Sequence, residues 1–246
     1  MRHVGILAHS ADGSALCYLE IVRESARRLG AHSHPEITLS IVPMAAVLED
    51  YDRDLSKVRA HLARSANRLA AAGCDFFVCS DNTAHIALES SGPPLSLPGL
   101  HIAEIVAQRA KADGHRRVGL LGTRWTMAGN VYPEAFARAG IEMKTPPADD
   151  RTLVDQVIFD ELCQGVIRDA SREQYVRIIE DLKRDGCEAV ALSCTEIPLL
   201  VTPEVSPLPT LDSTRLLARA AVEVACGDLS LPEWRGGPLV SSSSAR

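Results

Sequence analysis

The chain has 246 residues, of which 46% are hydrophobic and 24% are charged. This composition can bury a core and excludes a disordered protein, and the length predicts one large domain or two small ones. Lys and Arg number 26 against 32 for Asp and Glu, a net charge of −6. The charge argues against nucleic acid or an anionic membrane as the main partner, and no apolar run reaches the ~20 residues of a membrane span. The seven scattered cysteines favour reduced thiols and a cytoplasmic location.

Short apolar runs alternate with longer segments of helical period along the chain. The pattern predicts strands at 2–8, 37–42, 75–79, 117–121 and 189–193, and helices at 15–29, 54–72, 104–112, 131–139, 171–184 and 214–226. Gly73 and Gly186 follow two of the predicted helices, where glycine commonly ends a helix. Strands that alternate with helices indicate βαβ units, so we expect an α/β fold with mostly parallel sheets.

The sequence contains an internal repeat. VGIL at 4–7 recurs as VGLL at 118–121, and GCD at 73–75 recurs as GCE at 186–188. The two offsets are 118 − 4 = 114 and 186 − 73 = 113 residues, so the matched pieces keep their spacing. The repeat predicts two similar parallel-sheet lobes at 1–100 and 101–210, with a C-terminal helix at 211–230 packing back on the first lobe and a flexible tail at 231–246.

The register of the repeat places two ionisable side chains at equivalent positions. A shift of 113 residues aligns Asp81 with Cys194, and each follows a predicted strand. Ligands of open α/β sheets bind beyond the carboxyl ends of the strands. Two lobes that face each other would hold a carboxylate and a thiol on opposite sides of one cleft. Such a pair is suited to moving protons.

The motifs around these residues resemble those of the aspartate/glutamate racemase superfamily. SDNTAH at 80–85 is similar to the family's first-lobe motif and SCTEI at 193–197 to its second; GTR at 122–124, DELCQG at 160–165 and LDST at 211–214 also match. The resemblance implies a two-lobe fold with the active site between the lobes. It further implies a small amino-acid substrate, no pyridoxal phosphate or other cofactor, no metal, and a homodimer.

The resemblance also implies roles for individual residues. Cys194 would remove the α-proton of the L-isomer as a thiolate, and the N-terminus of the helix that follows is expected to lower its pKa. Asp81, which stands where the family normally has a cysteine, would deliver a proton to the opposite face of the α-carbon. The residues expected to bind the substrate are Ser10, Asn82, Thr83, Thr123 and Thr195.

Other interpretations of the same residues stay open. Asp81 could be only a helix cap, and the site could then run a one-base isomerisation, decarboxylation or elimination on a small carboxylic acid. A protein that lost one base could also bind a ligand without turnover. Val166 stands where aspartate-specific relatives often carry a lysine, which leaves the substrate side chain open. The cysteines expected to be core residues are Cys17, Cys74, Cys163, Cys187 and Cys226.

Overall fold

The computed structural model describes residues 1–231, and the chain divides into two compact units. Unit 1 comprises Met1–Ile102 and the described residues from Leu217 onward, and unit 2 comprises Ala103–Leu216. All but the first residue of the predicted flexible tail, 231–246, lies outside the described residues. Among residues 1–231, no helix is long and apolar enough to cross a membrane.

Unit 1 is built on a four-stranded parallel sheet in the order β2-β1-β3-β4. Its elements are β1 (Val4–Ala8), α1 (Ala11–Leu29), β2 (Ile37–Ile41), two 3₁₀ turns (Met44–Ala46 and Leu48–Tyr51), α2 (Leu55–Ala71), β3 (Phe76–Val78), α3 (Ala84–Glu89), β4 (Gly99–Leu100) and the start of α4 (Ile102–Ala112). The main-chain amide of Arg2 donates to the carbonyl of Ala225 at 2.8 Å, which joins the C-terminal helix to the beginning of β1.

Unit 2 has the same arrangement, with the strand order β6-β5-β7-β8 and all pairs parallel. Its elements after α4 are β5 (Arg117–Gly122), α5 (Arg124–Ala128), α6 (Val131–Ala139), β6 (Glu142–Lys144), α7 (Ala148–Asp160), a 3₁₀ turn (Leu162–Gln164), α8 (Asp169–Arg184), β7 (Ala189–Ser193), α9 (Ile197–Leu200), β8 (Thr210–Asp212) and the start of α10 (Ser213–Cys226).

The strand register repeats between the two units. Val4 pairs with Phe76 in unit 1, and Val118 pairs with Ala189 in unit 2. The offsets, 118 − 4 = 114 and 189 − 76 = 113, are those read from the sequence. The prediction of two similar parallel α/β sheets is therefore confirmed.

Each sheet has one strand positioned by the same helix–glycine corner. α2 is followed by Gly73 at φ +84° and α8 by Gly186 at φ +87°, a left-handed conformation that glycine adopts without steric cost. The amide of Cys74 then donates to the carbonyl of Leu69 at 3.1 Å, and an equivalent bond closes α8. These corners direct the chain into β3 and β7, the strands that precede Asp81 and Cys194.

The buried core follows the apolar strands. All five residues of β1 and of β7 are buried, as parallel strands covered on both faces require. Cys17, Cys74 and Cys187 lie in the core. The prediction for Cys163 was wrong, because it lies in the surface 3₁₀ turn after α7 and is exposed, and Cys226 is only partly buried.

Candidate active site

Asp81 lies in the turn between β3 and α3. Its Oδ1 accepts the main-chain N–H of Ala84 at 3.1 Å, and the residue is half-buried. Asn82 and Thr83, the next two residues, are both buried. The carboxyl group of Asp81 therefore caps the turn through one of its two oxygens, and that bond leaves the other oxygen for a second role.

His85 fixes the same turn from within. Its Nδ1 lies 2.9 Å from the carbonyl oxygen of Asp81, and its Nε2 accepts the main-chain N–H of Ile102 at 3.3 Å. Because Nε2 is an acceptor, the hydrogen is on Nδ1, which donates to Asp81. Complete burial, aided by the nearby His101, lowers the pKa of His85 to about 3. The ring is therefore neutral over the usual pH range and holds the Asp81 main chain in place.

A second polar pair lies in unit 1 beyond the end of β1. The Tyr51 hydroxyl is 3.0 Å from Nε2 of His9, and both side chains are buried. Burial and then the charge of Asp81 raise the pKa of Tyr51 well above its usual range, so the phenol stays protonated. The hydroxyl of Ser10 is buried and has no hydrogen-bond partner.

Cys194 follows β7 in unit 2 and shares a carboxylate with its neighbour. Its Sγ donates to Oε2 of Glu196 at 3.0 Å, and Oγ1 of Thr195 donates to the same oxygen at 2.5 Å. All three residues are buried, with Cys194 9% exposed. The thiol therefore faces an acceptor for its proton.

The electrostatics of Cys194 differ from the prediction. Burial raises the pKa of the thiol well above its usual range, and the charge of Glu196 raises it further. The expected lowering by a helix N-terminus was wrong, because α9 has only four residues (Ile197–Leu200) and the Glu196 carboxylate lies next to the sulfur. The resting form is consequently the neutral thiol.

Thr123 follows β5, the strand beside β7. Its Oγ1 accepts the N–H of Thr126 at 3.3 Å and so caps α5. β5 and β7 pair as far as Gly122 and Ser193. Thr123 and Cys194 therefore follow neighbouring strands at one edge of the unit 2 sheet.

The predicted site residues fall into two groups. Unit 1 carries Ser10, Asp81, Asn82 and Thr83 after β1 and β3, and unit 2 carries Thr123, Cys194 and Thr195 after β5 and β7. Within residues 1–231, no three His, Cys, Asp or Glu side chains are grouped as metal ligands would be.

The sequence analysis did not single out four residues that surround these groups: His9, Tyr51, His85 and Glu196. The Cys-Thr-Glu spacing is a signal for Glu196, because it puts a carboxylate two residues after the thiol. No comparable signal exists for Tyr51, which meets His9 across 42 positions of sequence.

Two repeated parallel sheets, with a carboxyl group and a thiol after equivalent strands, define a class of two-lobed α/β proteins with proton-transfer groups. The model of the Asp/Glu/hydantoin racemase family matches residues 6–221 of the chain. The chain belongs to this family.

Individual relatives agree with this assignment. The chain is 29% identical over 153 residues to a glutamate racemase of Corynebacterium glutamicum, a match that covers 59% of this chain and 52% of that protein. The matched part thus spans about half the length of that curated relative. The chain is 23% identical over 228 residues to the broad specificity amino-acid racemase RacX of Bacillus subtilis, covering 89% of this chain and 96% of that protein.

Solved structures share the fold along nearly the whole chain. A crystal structure from Yersinia pestis, described as a candidate Asp/Glu racemase, superposes with a TM-score of 0.81 at 30% identity, covering 92% of this chain and 100% of that one. The aspartate racemase of Picrophilus torridus superposes with a TM-score of 0.72 at 22% identity, covering 92% and 95%.

Proposed function

We propose that this protein is a cofactor-independent amino-acid racemase that inverts the α-carbon through Cys194 and Asp81. The observation that carries the proposal is the repeat register, in which Asp81 and Cys194 follow the equivalent strands β3 and β7. Membership of the Asp/Glu/hydantoin racemase family supports the same reaction. We further propose a small amino acid as substrate and a homodimer in the cytoplasm, with neither nucleic acid nor membrane as partner.

The resting protonation favours one direction of the reaction. Cys194 holds its proton as a thiol, whereas the Asp81 carboxyl group accepts an N–H from Ala84. In this form Asp81 removes the α-proton of the D-isomer, and the Cys194 thiol delivers its own proton to the opposite face. The product is the L-isomer, with a thiolate on Cys194 and a proton on Asp81.

The opposite direction starts from a thiolate at Cys194. Glu196 accepts the sulfur's proton across the 3.0 Å hydrogen bond, so the thiolate forms without release of a proton to bulk water. Cys194 then removes the α-proton of the L-isomer, and a protonated Asp81 supplies the proton that forms the D-isomer. Glu196 acts through Cys194 and is a positioning residue.

The intermediate between the two proton transfers carries negative charge and needs fixed donors in a site shielded from water. Thr123 and Thr195 are buried beside Cys194 in unit 2, and Asn82 and Thr83 are buried beside Asp81 in unit 1. Hydroxyl, amide and main-chain N–H groups of these residues supply such donors.

One observation favours a second candidate function. The Oδ1 of Asp81 is engaged as a cap by the N–H of Ala84, so Asp81 has a structural role that needs no catalysis. With Cys194 as the sole base, the site would run an isomerisation, decarboxylation or elimination on a small carboxylic acid.

Proton NMR in heavy water, combined with chiral chromatography, tests the proposal. Each enantiomer of aspartate, glutamate, alanine and a panel of neutral amino acids is incubated with the protein. The proposal predicts loss of the α-proton signal together with appearance of the other enantiomer. Exchange without inversion would favour the one-base alternative, and no exchange with any amino acid would contradict the racemase.

A further inference from the structure

Unit 1 contains buried polar atoms near Asp81 that the proton-transfer steps do not use. Nδ1 of His9, Oγ of Ser10 and Nε2 of His61 are each buried without a hydrogen-bond partner. A buried polar group that lacks a partner costs about 1–3 kcal/mol, so three such groups in one unit call for an explanation.

Two of these residues lie at the sheet edge that carries Asp81. β1 and β3 pair in parallel as far as Ile6 and Val78, so both strands end at the same edge. His9 and Ser10 follow β1, and Asp81 follows β3. His61 is on α2, the helix that packs against β1 and against the turn that contains Tyr51.

The hydrogen positions make these groups donors. Nδ1 of His61 accepts from the guanidinium of Arg64 at 3.1 Å, because arginine can only donate. The hydrogen of the neutral His61 ring is therefore on the unpartnered Nε2. At His9 the Tyr51 phenol, which keeps its proton, is 3.0 Å from Nε2; when it donates there, the His9 hydrogen is on the unpartnered Nδ1.

The charge around the two histidines suits an anion. Burial lowers the pKa of His61, and the charges of Arg64 and then His9 lower it further, which indicates that the two rings lie within electrostatic range of each other. Arg64 is exposed and positively charged. Two neutral donors beside a guanidinium are complementary to a carboxylate.

We propose that His9, His61 and Ser10 form a subsite that binds a carboxylate of the substrate beside Asp81. The subsite deepens the proposed function and rests on it for the identity of the ligand: an amino acid whose carboxylate is held by neutral imidazole donors. His9 is further oriented by the Tyr51 hydroxyl.

The test follows the imidazole resonances of the full-length protein by carbon–proton NMR while sodium acetate is added at constant ionic strength. Acetate should shift the resonances of His9 and His61. The variant His61→Phe keeps a ring of similar size but removes the donor, and should weaken acetate binding about tenfold. The variant His34→Gln, at an exposed position, should leave the binding unchanged.

Several results would overturn the subsite. These are no shift of either resonance with acetate, unchanged affinity in His61→Phe, or a response of His9 to ethylammonium chloride instead of acetate. L-Alanine and L-aspartate then distinguish an α-carboxylate from a side-chain carboxylate, and a shift with either supports the subsite. Acetate binding without any α-proton exchange would contradict the racemase but not the subsite, whereas exchange without histidine shifts would contradict the subsite alone.

Discussion

At the scale of single residues, the contact between Cys194 and Glu196 sets the proton chemistry of unit 2. The sulfur is buried, and the carboxylate 3.0 Å away accepts its hydrogen. Both burial and this negative charge favour the thiol over the thiolate. The pH dependence of turnover should therefore report the raised pKa of Cys194.

The alkaline limit of activity is the first prediction. The productive free enzyme carries one proton on the Cys194–Asp81 pair, so activity falls when the thiol ionises. Because the pKa of Cys194 is raised, kcat/KM should persist above pH 9.0, the ordinary value for a thiol. Glu196→Gln removes a negative charge beside the sulfur and lowers that pKa, so the alkaline limb should move to lower pH.

A pH profile of α-proton exchange measures this shift. Glu173→Gln, at an exposed position of α8, is the matched control and should retain the wild-type profile. An alkaline limb that stays in place or moves upward in Glu196→Gln would contradict the role of Glu196.

Asp81 allows a second prediction, because its two roles respond differently to substitution. Asn is as good a cap as Asp, so Asp81→Asn should change the free energy of unfolding by less than about 0.5 kcal/mol, whereas Asp81→Ala should cost about 1 kcal/mol. Both variants lose the proton-transfer group and should slow inversion by about 10²–10⁴-fold. Denaturant unfolding and chiral chromatography measure the two effects. Full inversion by Asp81→Asn would leave Asp81 as a cap only.

At the scale of elements, the packing of β5 against its neighbours positions the end of the strand before Thr123. A Cβ at Gly122 would lie 2.9 Å from the carbonyl oxygen of Ser193, and one at Gly119 would lie 2.8 Å from Cδ1 of Leu182. The first neighbour is main chain in the paired strand, whereas the second is the end of a side chain that can rotate.

These contacts give a third prediction. Gly122→Ala should destabilise the protein by about 2–3 kcal/mol, since a paired strand must move, while Gly119→Ala should cost about 1 kcal/mol. Gly122→Ala should also slow turnover, because β7 leads into Cys194. Equal unfolding free energies for the two variants, measured in urea, would contradict this account of the strand packing.

Elements of different length were predictable to different degrees. The helix at 131–139 and the strand at 189–193 match α6 and β7, because long apolar runs and helical periods are local signals. β4, β6 and β8 have two or three residues each and are too short to show a period. α7 was missed because its first turn contains Asp149 and Asp150 and little apolar pattern.

The candidate site was predictable in part for the same reason. The repeat and the motifs identify Asp81 and Cys194 because each follows a strand directly. The subsite around His9 depends on Tyr51 and His61, which come from distant parts of the sequence. Contacts of this kind are set by tertiary packing, which no local pattern contains.

At the scale of the whole molecule, the buried His85 links stability to pH. Its pKa in the folded protein is about 3, below the ~6.5 of an exposed histidine in the unfolded chain. Below pH ~6.5 the unfolded chain binds a proton that the folded protein does not, so the free energy of unfolding falls by about 1.4 kcal/mol per pH unit. This stability is fully present above pH ~6.5 and is lost as the pH falls toward 3.

Unfolding in urea at pH 7, 6 and 5 tests this fourth prediction. His85→Gln removes the titrating ring, so its stability should depend less on pH than that of the wild type, although it should be less stable at pH 7. His34→Gln, at an exposed site, should retain the wild-type pH dependence. An unchanged slope in His85→Gln would contradict the linkage.

The isotope content of substrate and product, early in a reaction in heavy water, tests two-base racemisation most directly. Two bases predict that the inverted product carries deuterium at the α-carbon while unreacted substrate keeps its protium, because each isomer meets a different proton-transfer group. The groups at Asp81 and Cys194 also differ chemically, so kcat should differ between the isomers although kcat/KM is equal. An inverted product that retains protium, or substrate that exchanges without inversion, would contradict the pairing of Cys194 with Asp81.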